Sequence, residues 1–206
     1  LGIDSFEKVR SGGYYYVDKT GVIAELLRKT FEVNLITRPR RFGKTLAMDM
    51  MANFFDIRKD TGGLFTGLDI ADRTALCAEW QNRWPVIFLT FKDVDDTGFE
   101  NAWKKLMVCI ADLCRQHTYL LESGKVDRED IVLFGKYQSM SADAVEIQNA
   151  LYVLMRMMHA YYGKQVIVLL DEYDVPLAKA NENGFYDEML NLIRGLLNKT
   201  LKTNPF

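Results

Sequence analysis

Three stretches of the chain are rich in aliphatic and aromatic residues and are bounded by polar or turn-forming ones. They read FEVNLIT at residues 31–37, WPVIFLTFKDV at 84–94 and KQVIVLLDEYDVPL at 164–177. A short apolar run without strict alternation is typical of a strand that is buried on both faces. The pattern therefore predicts three buried strands, the last of which ends in acidic residues.

Between these runs, apolar residues recur every three or four positions, which is the spacing of amphipathic helices. Asp18 is a suitable N-cap for one such helix, which follows an extended aromatic run at Tyr14–Tyr16. The segments 61–70 and 124–140 are predicted as a loop and a polar surface insertion. The other predicted helices cover residues 4–13, 44–57, 98–123, 141–163 and 184–204.

Strands that alternate with long helices predict an α/β fold, in which helices flank both faces of a parallel sheet. A length of 206 residues suits one domain with a single core. The last predicted helix is followed at once by the end of the sequence, where an α/β order requires another strand. We therefore expect the chain to be truncated at its C-terminal end.

Composition narrows the classes of function. Apolar residues make up 49% of the chain, and the net charge of −2 argues against a chain-wide electrostatic footprint for nucleic acid but leaves a local basic patch open. The longest aliphatic run is far too short for a membrane helix. The three cysteines form no Cys-x-x-Cys pair, so reduced thiols and a cytoplasmic location are expected.

The segment TRPRRFGKT, residues 37–45, ends like a Walker A phosphate-binding loop, for which the pattern is G-x-x-x-x-G-K-[ST]. Gly43 would let the backbone approach phosphates, Lys44 would place its charge on the β- and γ-phosphates, and the Thr45 hydroxyl would ligate Mg²⁺. A predicted strand enters the loop and a predicted helix leaves it, as this chemistry requires.

The entrance of this loop departs from the pattern. Arg38 stands where the pattern has glycine, and Pro39 has no N–H group to donate and restricts the residue before it. Two interpretations of Arg40 and Arg41 stay open. Their guanidinium groups either bind phosphate oxygens in a bidentate manner or point to solvent and pair with nearby carboxylates.

The third predicted strand ends in Asp171 and Glu172, which matches a Walker B element. There the aspartate enters the Mg²⁺ shell and the following glutamate addresses the attacking water. The alternative is a strand that simply ends in solvated acids. Asp174 either adds charge to the metal site or caps the next helix, and capping is favoured.

The segments YYYVDKT, TRPRRFGKT, LFTGLDI and VLLDEYDVPL resemble, in this order, the motifs of the bacterial AAA-ATPase-like family. The resemblance covers nearly the whole chain, and RPRRFGK is its most specific part. It implies one P-loop NTPase domain of the additional-strand (ASCE) type over residues 1–206, incomplete at its C-terminus. Residues 1–30 are a helical and aromatic lead-in.

The resemblance also implies ATP and Mg²⁺ as ligands. By position, Lys44 and Glu172 take catalytic roles, and Thr45 and Asp171 take metal-binding roles. The nucleotide-binding residues would be Arg40, Arg41, Phe42, Gly43, Lys44, Thr45 and Leu46. Many family members carry a PD-(D/E)xK nuclease-like domain after the ATPase domain, through which nucleic acid would be a partner. Homo-oligomerisation is a further expectation, and a membrane partner is not expected.

Two expected parts are missing from this sequence, because no later strand supplies a polar sensor residue and no later arginine is available as a finger. Arg194, on the last helix, would more readily form an ion pair than reach a nucleotide. Asp18 either caps a helix or belongs to a segment that places a tyrosine against adenine. The tryptophans are expected in the core or at an interface.

Three functions therefore stay open. The first is an Mg²⁺-dependent ATPase coupled to an effector or nuclease-like domain. The second is a switch or scaffold that binds nucleotide without hydrolysing it. The third is a degenerate P-loop fold that binds no nucleotide.

Overall fold

The structure is a computed structural model that describes residues 2–29, 32–37, 42–201 and 204–206. The chain forms two compact units. The first comprises Leu1–Phe88 with Ile167–Leu169, and the second comprises Leu89–Val166 with Leu170–Phe206. The division between the units falls within both strands of the sheet.

The described sheet consists of strand β1, Val86–Thr90, and strand β2, Ile167–Asp171. In the first unit, the Ile167 N–H donates to the Pro85 carbonyl at 2.9 Å. In the second unit, the Phe91 N–H donates to the Asp171 carbonyl at 3.0 Å, so the strands run parallel. Two of the three predicted strands are thereby confirmed.

The predicted strand at 31–37 is wrong for the residues that the structure describes. Residues 32–37 adopt no strand, and Val33 and Leu35 are 51% and 68% exposed, while Ile36 packs against the core. A strand needs a neighbour to satisfy its backbone N–H and C=O groups. In the described sheet, β1 and β2 pair only with each other. The extended aromatic run at 14–16 is not part of a described strand.

The first unit builds its core from helices around a cluster of aromatic side chains. Phe65 lies 5.0 Å from Phe6 and 5.3 Å from Phe54, measured between ring centroids. The predicted loop at 61–70 contributes to this core through two 3₁₀ turns, Gly62–Phe65 and Asp69–Asp72. The helices of this unit are α1, Phe6–Ser11; α2, Gly21–Arg28; α3, Lys44–Phe55; and α4, Thr74–Trp80.

The second unit is mainly helical. Helix α5 packs on α6, α6 on α8, and α10 on both α8 and α9. A 3₁₀ turn, Thr118–Glu122, follows α5. The helices of this unit are α5, Phe99–Arg115; α6, Arg128–Gln138; α7, Ala144–Ile147; α8, Ala150–Tyr162; α9, Val175–Asn183; and α10, Tyr186–Leu201.

Helix α6 corrects the prediction of a polar surface insertion at 124–140. Asp127 caps this helix by accepting the Glu129 N–H at 2.8 Å, and Phe134 and Tyr137 are buried. The two aromatic residues are three positions apart, so both lie on the same face of the helix and face the core. Within the described residues, no helix is long and apolar enough to span a membrane.

Candidate nucleotide-binding site

The Gly-Lys-Thr tripeptide lies where the chain enters helix α3, as predicted. Gly43 occupies the N-cap position with φ of 74°, a left-handed conformation that favours glycine. Lys44, Thr45 and Leu46 form the first turn, and their N–H groups have no acceptor within the helix. Together with the positive end of the helix dipole, these donors form an arrangement suited to an anion.

The side chains at this helix start have different surroundings. Among the residues that the structure describes, neither the Lys44 ammonium nor the Thr45 hydroxyl has a hydrogen-bond partner. Leu46 packs against the core of the first unit, so only its backbone is available to a ligand. The Phe42 side chain is 61% exposed, and the Phe42 carbonyl accepts a hydrogen bond from the Lys19 ammonium at 3.2 Å.

The altered entrance of the loop lies outside the described residues. This applies to Arg38 and Pro39, and also to Arg40 and Arg41, whose contact with phosphate stays a prediction.

The segment before helix α2 differs from its prediction. Thr20, not Asp18, occupies the N-cap position of α2. Asp18 instead accepts hydrogen bonds from the Thr20 N–H at 2.8 Å, the Thr20 hydroxyl at 2.7 Å and the Asp69 N–H at 2.7 Å. Burial raises the pKa of Asp18, but these hydrogen bonds outweigh it and leave the pKa below its ordinary value.

The tyrosines upstream of Asp18 are divided between core and surface. Tyr16 packs edge-on against Phe6 at 5.3 Å, while Tyr14 and Tyr15 are 58% and 92% exposed. A tyrosine stacked on adenine stays a prediction. The sequence pattern indicates no role for Lys19. The one indication in the sequence is that Lys19 lies within YYYVDKT, a segment that resembles a motif of the AAA-ATPase-like family.

Asp171 is the last residue of β2 and belongs to the second unit. Its side chain is buried, and among the described residues its Oδ2 has no hydrogen-bond partner. A buried carboxylate oxygen is costly unless a donor or a cation satisfies it. Its surroundings therefore fit the predicted role as a ligand of a hard divalent cation, which prefers oxygen donors.

Glu172 and Asp174 follow in the turn between β2 and α9. Glu172 has φ of 52°, a left-handed conformation, and strand β2 ends at Asp171. Asp174 occupies the N-cap position of α9, as favoured, but its side chain makes no capping hydrogen bond. Among the described residues, the Glu172 carboxylate has no hydrogen-bond or ion-pair partner.

Two other features of the second unit bear on the sequence predictions. Arg194 is exposed on α10, and the expected ion pair is absent among the described residues. A groove of about 540 Å³ between α5, α7 and α10 contains none of the predicted nucleotide-binding residues. Glu100, Glu188 and Lys104 line this groove beside Phe99 and Trp103.

A family model described as Predicted AAA-ATPase matches residues 1–206. The chain is also 34% identical over 178 residues to a protein of Azotobacter chroococcum mcd 1 named "Uncharacterized protein in vnfD 5'region". The match covers 86% of this chain and 29% of that relative, so the chain spans less than a third of the relative's length. No solved structure matches the chain. With the family model matched over the whole sequence, the chain belongs to the AAA-ATPase-like family.

Proposed function

We propose that this chain binds Mg²⁺-ATP at the start of helix α3 and hydrolyses it. The observation that carries the proposal is the left-handed Gly43 directly before Lys44 and Thr45, at the N-terminus of a 12-residue helix. The Lys44 ammonium has no partner among the described residues, and it is therefore available for the β- and γ-phosphates. Membership of the AAA-ATPase-like family supports the same interpretation.

The proposal assigns a role to each residue of the site. The N–H groups of Gly43, Lys44 and Thr45 would donate to phosphate oxygens. The guanidinium groups of Arg40 and Arg41 would add charge at the loop entrance.

The acidic strand end carries the other roles in the proposal. The Asp171 carboxylate and the Thr45 hydroxyl would hold Mg²⁺, which neutralises charge on the phosphates when it is bound. Glu172 would accept a hydrogen bond from the attacking water and orient it. The additional-strand P-loop topology is part of the proposal.

A second candidate is a nucleotide-dependent switch that hardly hydrolyses ATP. The absence of a strand at 32–37 in the described structure favours it, because a loop that no strand anchors is less well preorganised for catalysis. In either case we propose that nucleotide state is coupled to an effector, for which a nuclease-like domain that contacts nucleic acid is one choice. Self-association is included in the proposal.

The test is ATP turnover and nucleotide binding by the full-length protein. Lys44→Ala should abolish binding, because it removes the ammonium that neutralises the phosphates. Glu172→Gln should retain binding and lower turnover by roughly 10²- to 10⁴-fold, the usual contribution of a general base. Lys29→Ala, an exposed lysine of the first unit, is the matched control.

The outcomes separate the candidate functions. Tight binding by calorimetry without phosphate release would favour the switch. Lys44→Ala and Glu172→Gln proteins that both act like the wild type would reject the assigned roles. No binding by the wild type would leave a degenerate P-loop fold.

A further inference from the structure

The Lys19 side chain contacts the backbone at the start of the proposed phosphate site. Its Nζ lies 3.2 Å from the Phe42 carbonyl oxygen, to which it donates a hydrogen bond. The same nitrogen lies 3.5 Å from the position that a Cβ atom would occupy at Gly43. Lys19 precedes helix α2, so this contact joins two separate segments within the first unit.

The residues on both sides of Lys19 are held firmly. Asp18 accepts three hydrogen bonds, which come from Thr20 and from the Asp69 N–H. Thr20 is fully buried, and its hydroxyl accepts the Ile70 N–H at 3.2 Å. The ammonium therefore extends toward Phe42 from a fixed backbone.

The geometry of the peptide bond gives this contact a consequence. The Phe42–Gly43 peptide is trans, so the Phe42 carbonyl and the Gly43 N–H point in opposite directions. A donor that holds the carbonyl on one side therefore directs the N–H to the other side. We propose that Lys19 is a positioning residue of the nucleotide site, which orients the Gly43 N–H as a donor to a bound polyphosphate.

This inference rests on the proposed function and predicts a particular pattern of effects. Lys19 would act through a peptide group rather than through the γ-phosphate. Loss of the Lys19 ammonium should therefore weaken the binding of Mg²⁺-ADP and the binding of Mg²⁺-ATP by the same factor. At saturating ATP the hydrolysis rate should change little, so KM rises while kcat is nearly constant.

The experiment compares Lys19→Met, which keeps the apolar stem without the charge, with Lys19→Arg, which can still donate to a carbonyl. Calorimetry on the full-length protein gives the Kd of both nucleotides. We expect roughly fivefold to tenfold weaker binding for Lys19→Met, the scale of one lost hydrogen bond. Lys19→Arg should stay within about twofold of the wild type. Lys29→Met is the matched control and should bind like the wild type.

Wild-type affinity of Lys19→Met, or a loss confined to ATP, would overturn the inference. The melting temperature without nucleotide should be the same in all these variants, since a general loss of structure would lower it. Lys44→Ala separates this inference from the proposed function. Binding that survives Lys44→Ala contradicts the proposed function, whereas binding lost in Lys44→Ala and unchanged in Lys19→Met contradicts only the role of Lys19.

Discussion

Asp171 and Glu172 are adjacent in the chain, yet they differ in backbone conformation and in burial. Asp171 ends strand β2 and is 2% exposed, whereas Glu172 is half-buried and has φ of 52°. A left-handed conformation costs a non-glycine residue about 1–2 kcal/mol. Residues held in such conformations concentrate at functional sites, where the surrounding structure maintains them.

Glycine at position 172 is expected to stabilise the protein relative to alanine. Glycine adopts the left-handed conformation without a steric penalty. The unfolding free energy of the Glu172→Gly protein should therefore be about 1 kcal/mol higher than that of the Glu172→Ala protein. Denaturant unfolding measures this difference. Both variants should lose ATP turnover, because both lack the carboxylate.

Met140 offers a matched control for this prediction, because it is also left-handed, with φ of 56°, and is 45% exposed. Met140→Gly should gain a similar stability over Met140→Ala, and ATP turnover should not change. Equal stability of glycine and alanine at position 172 would contradict the left-handed conformation of Glu172.

Asp171→Asn is expected to remove the effect of Mg²⁺ on nucleotide binding without destabilising the free protein. The buried Oδ2 has no partner among the described residues, and a neutral amide costs less to bury than a carboxylate. In thermal unfolding, nucleotide at 100 times its Kd stabilises the protein by about 2.7 kcal/mol. For the wild type, this gain in stability should be lost when EDTA removes Mg²⁺ at the same nucleotide concentration. For Asp171→Asn, the gain should be the same in Mg²⁺ and in EDTA.

Asp174→Asn is the control, because Asp174 is an exposed carboxylate in the same turn. It should respond to Mg²⁺ like the wild type. A full Mg²⁺ effect in Asp171→Asn would show that Asp171 is not a metal ligand.

Much of the fold could be predicted because burial leaves a clear pattern in the sequence. The aliphatic runs of β1 and β2 and the helical spacing from Lys44 to Phe55 are confirmed. The same signal failed at 31–37, because apolar composition indicates burial but does not specify a pairing partner. It also missed α6, where the polar and charged residues elsewhere in the helix obscure the narrow apolar face of Phe134 and Tyr137.

The candidate site could be predicted where its chemistry is local. Gly43, Lys44 and Thr45 share one turn, so a short motif specifies them. The contact between Lys19 and Phe42 depends on tertiary folding, and no local pattern encodes it. Nor does any pattern indicate a left-handed glutamate, because that conformation is rare for this residue type.

Gly43→Ala is expected to lower both stability and nucleotide affinity. A Cβ atom at Gly43 would have its nearest neighbour, Lys19 Nζ, at an ordinary contact distance of 3.5 Å, so the penalty is conformational rather than steric. With φ of 74°, we expect a loss of about 1–2 kcal/mol in unfolding free energy. Weaker ATP binding should accompany it, because the Gly43 N–H would be reoriented.

Gly67→Ala is the matched control, since Gly67 has φ of 76° and open space around its Cβ position. It should lose a similar stability, measured by denaturant unfolding, and keep the nucleotide affinity of the wild type. Equal nucleotide affinities of Gly43→Ala and Gly67→Ala would contradict a role of the Gly43 backbone in binding.

Arg156→Met is expected to destabilise the second unit. Arg156 Nε donates to Asp130 Oδ2 at 2.8 Å and thereby joins α8 to α6, and the Asp130 side chain is 3% exposed. Loss of one partner from a fully buried pair costs ~3–5 kcal/mol. Since the Arg156 side chain is 41% exposed, we expect about 2 kcal/mol by denaturant unfolding. Arg128→Met, at an exposed position of α6, should be near neutral, and an equal loss in both would contradict the prediction.

Asp49→Asn is expected to change the pH dependence of stability. The Asp49 carboxylate accepts the Phe6 N–H at 2.6 Å, and burial raises its pKa above 3.8 despite this bond. The folded protein therefore binds more protons than the unfolded chain as the pH rises from 3.8 toward the raised pKa, and its stability falls in that window. An asparagine oxygen can still accept the Phe6 N–H but does not titrate. Urea unfolding of both proteins from about pH 4 to pH 7 should therefore show the stability of the variant increasing relative to that of the wild type as the pH rises. Above the raised pKa, the difference in unfolding free energy should be constant.

Asp72→Asn, at an exposed position, is the control. A difference for Asp49→Asn that is independent of pH, or that shrinks as the pH rises, would contradict the raised pKa of Asp49.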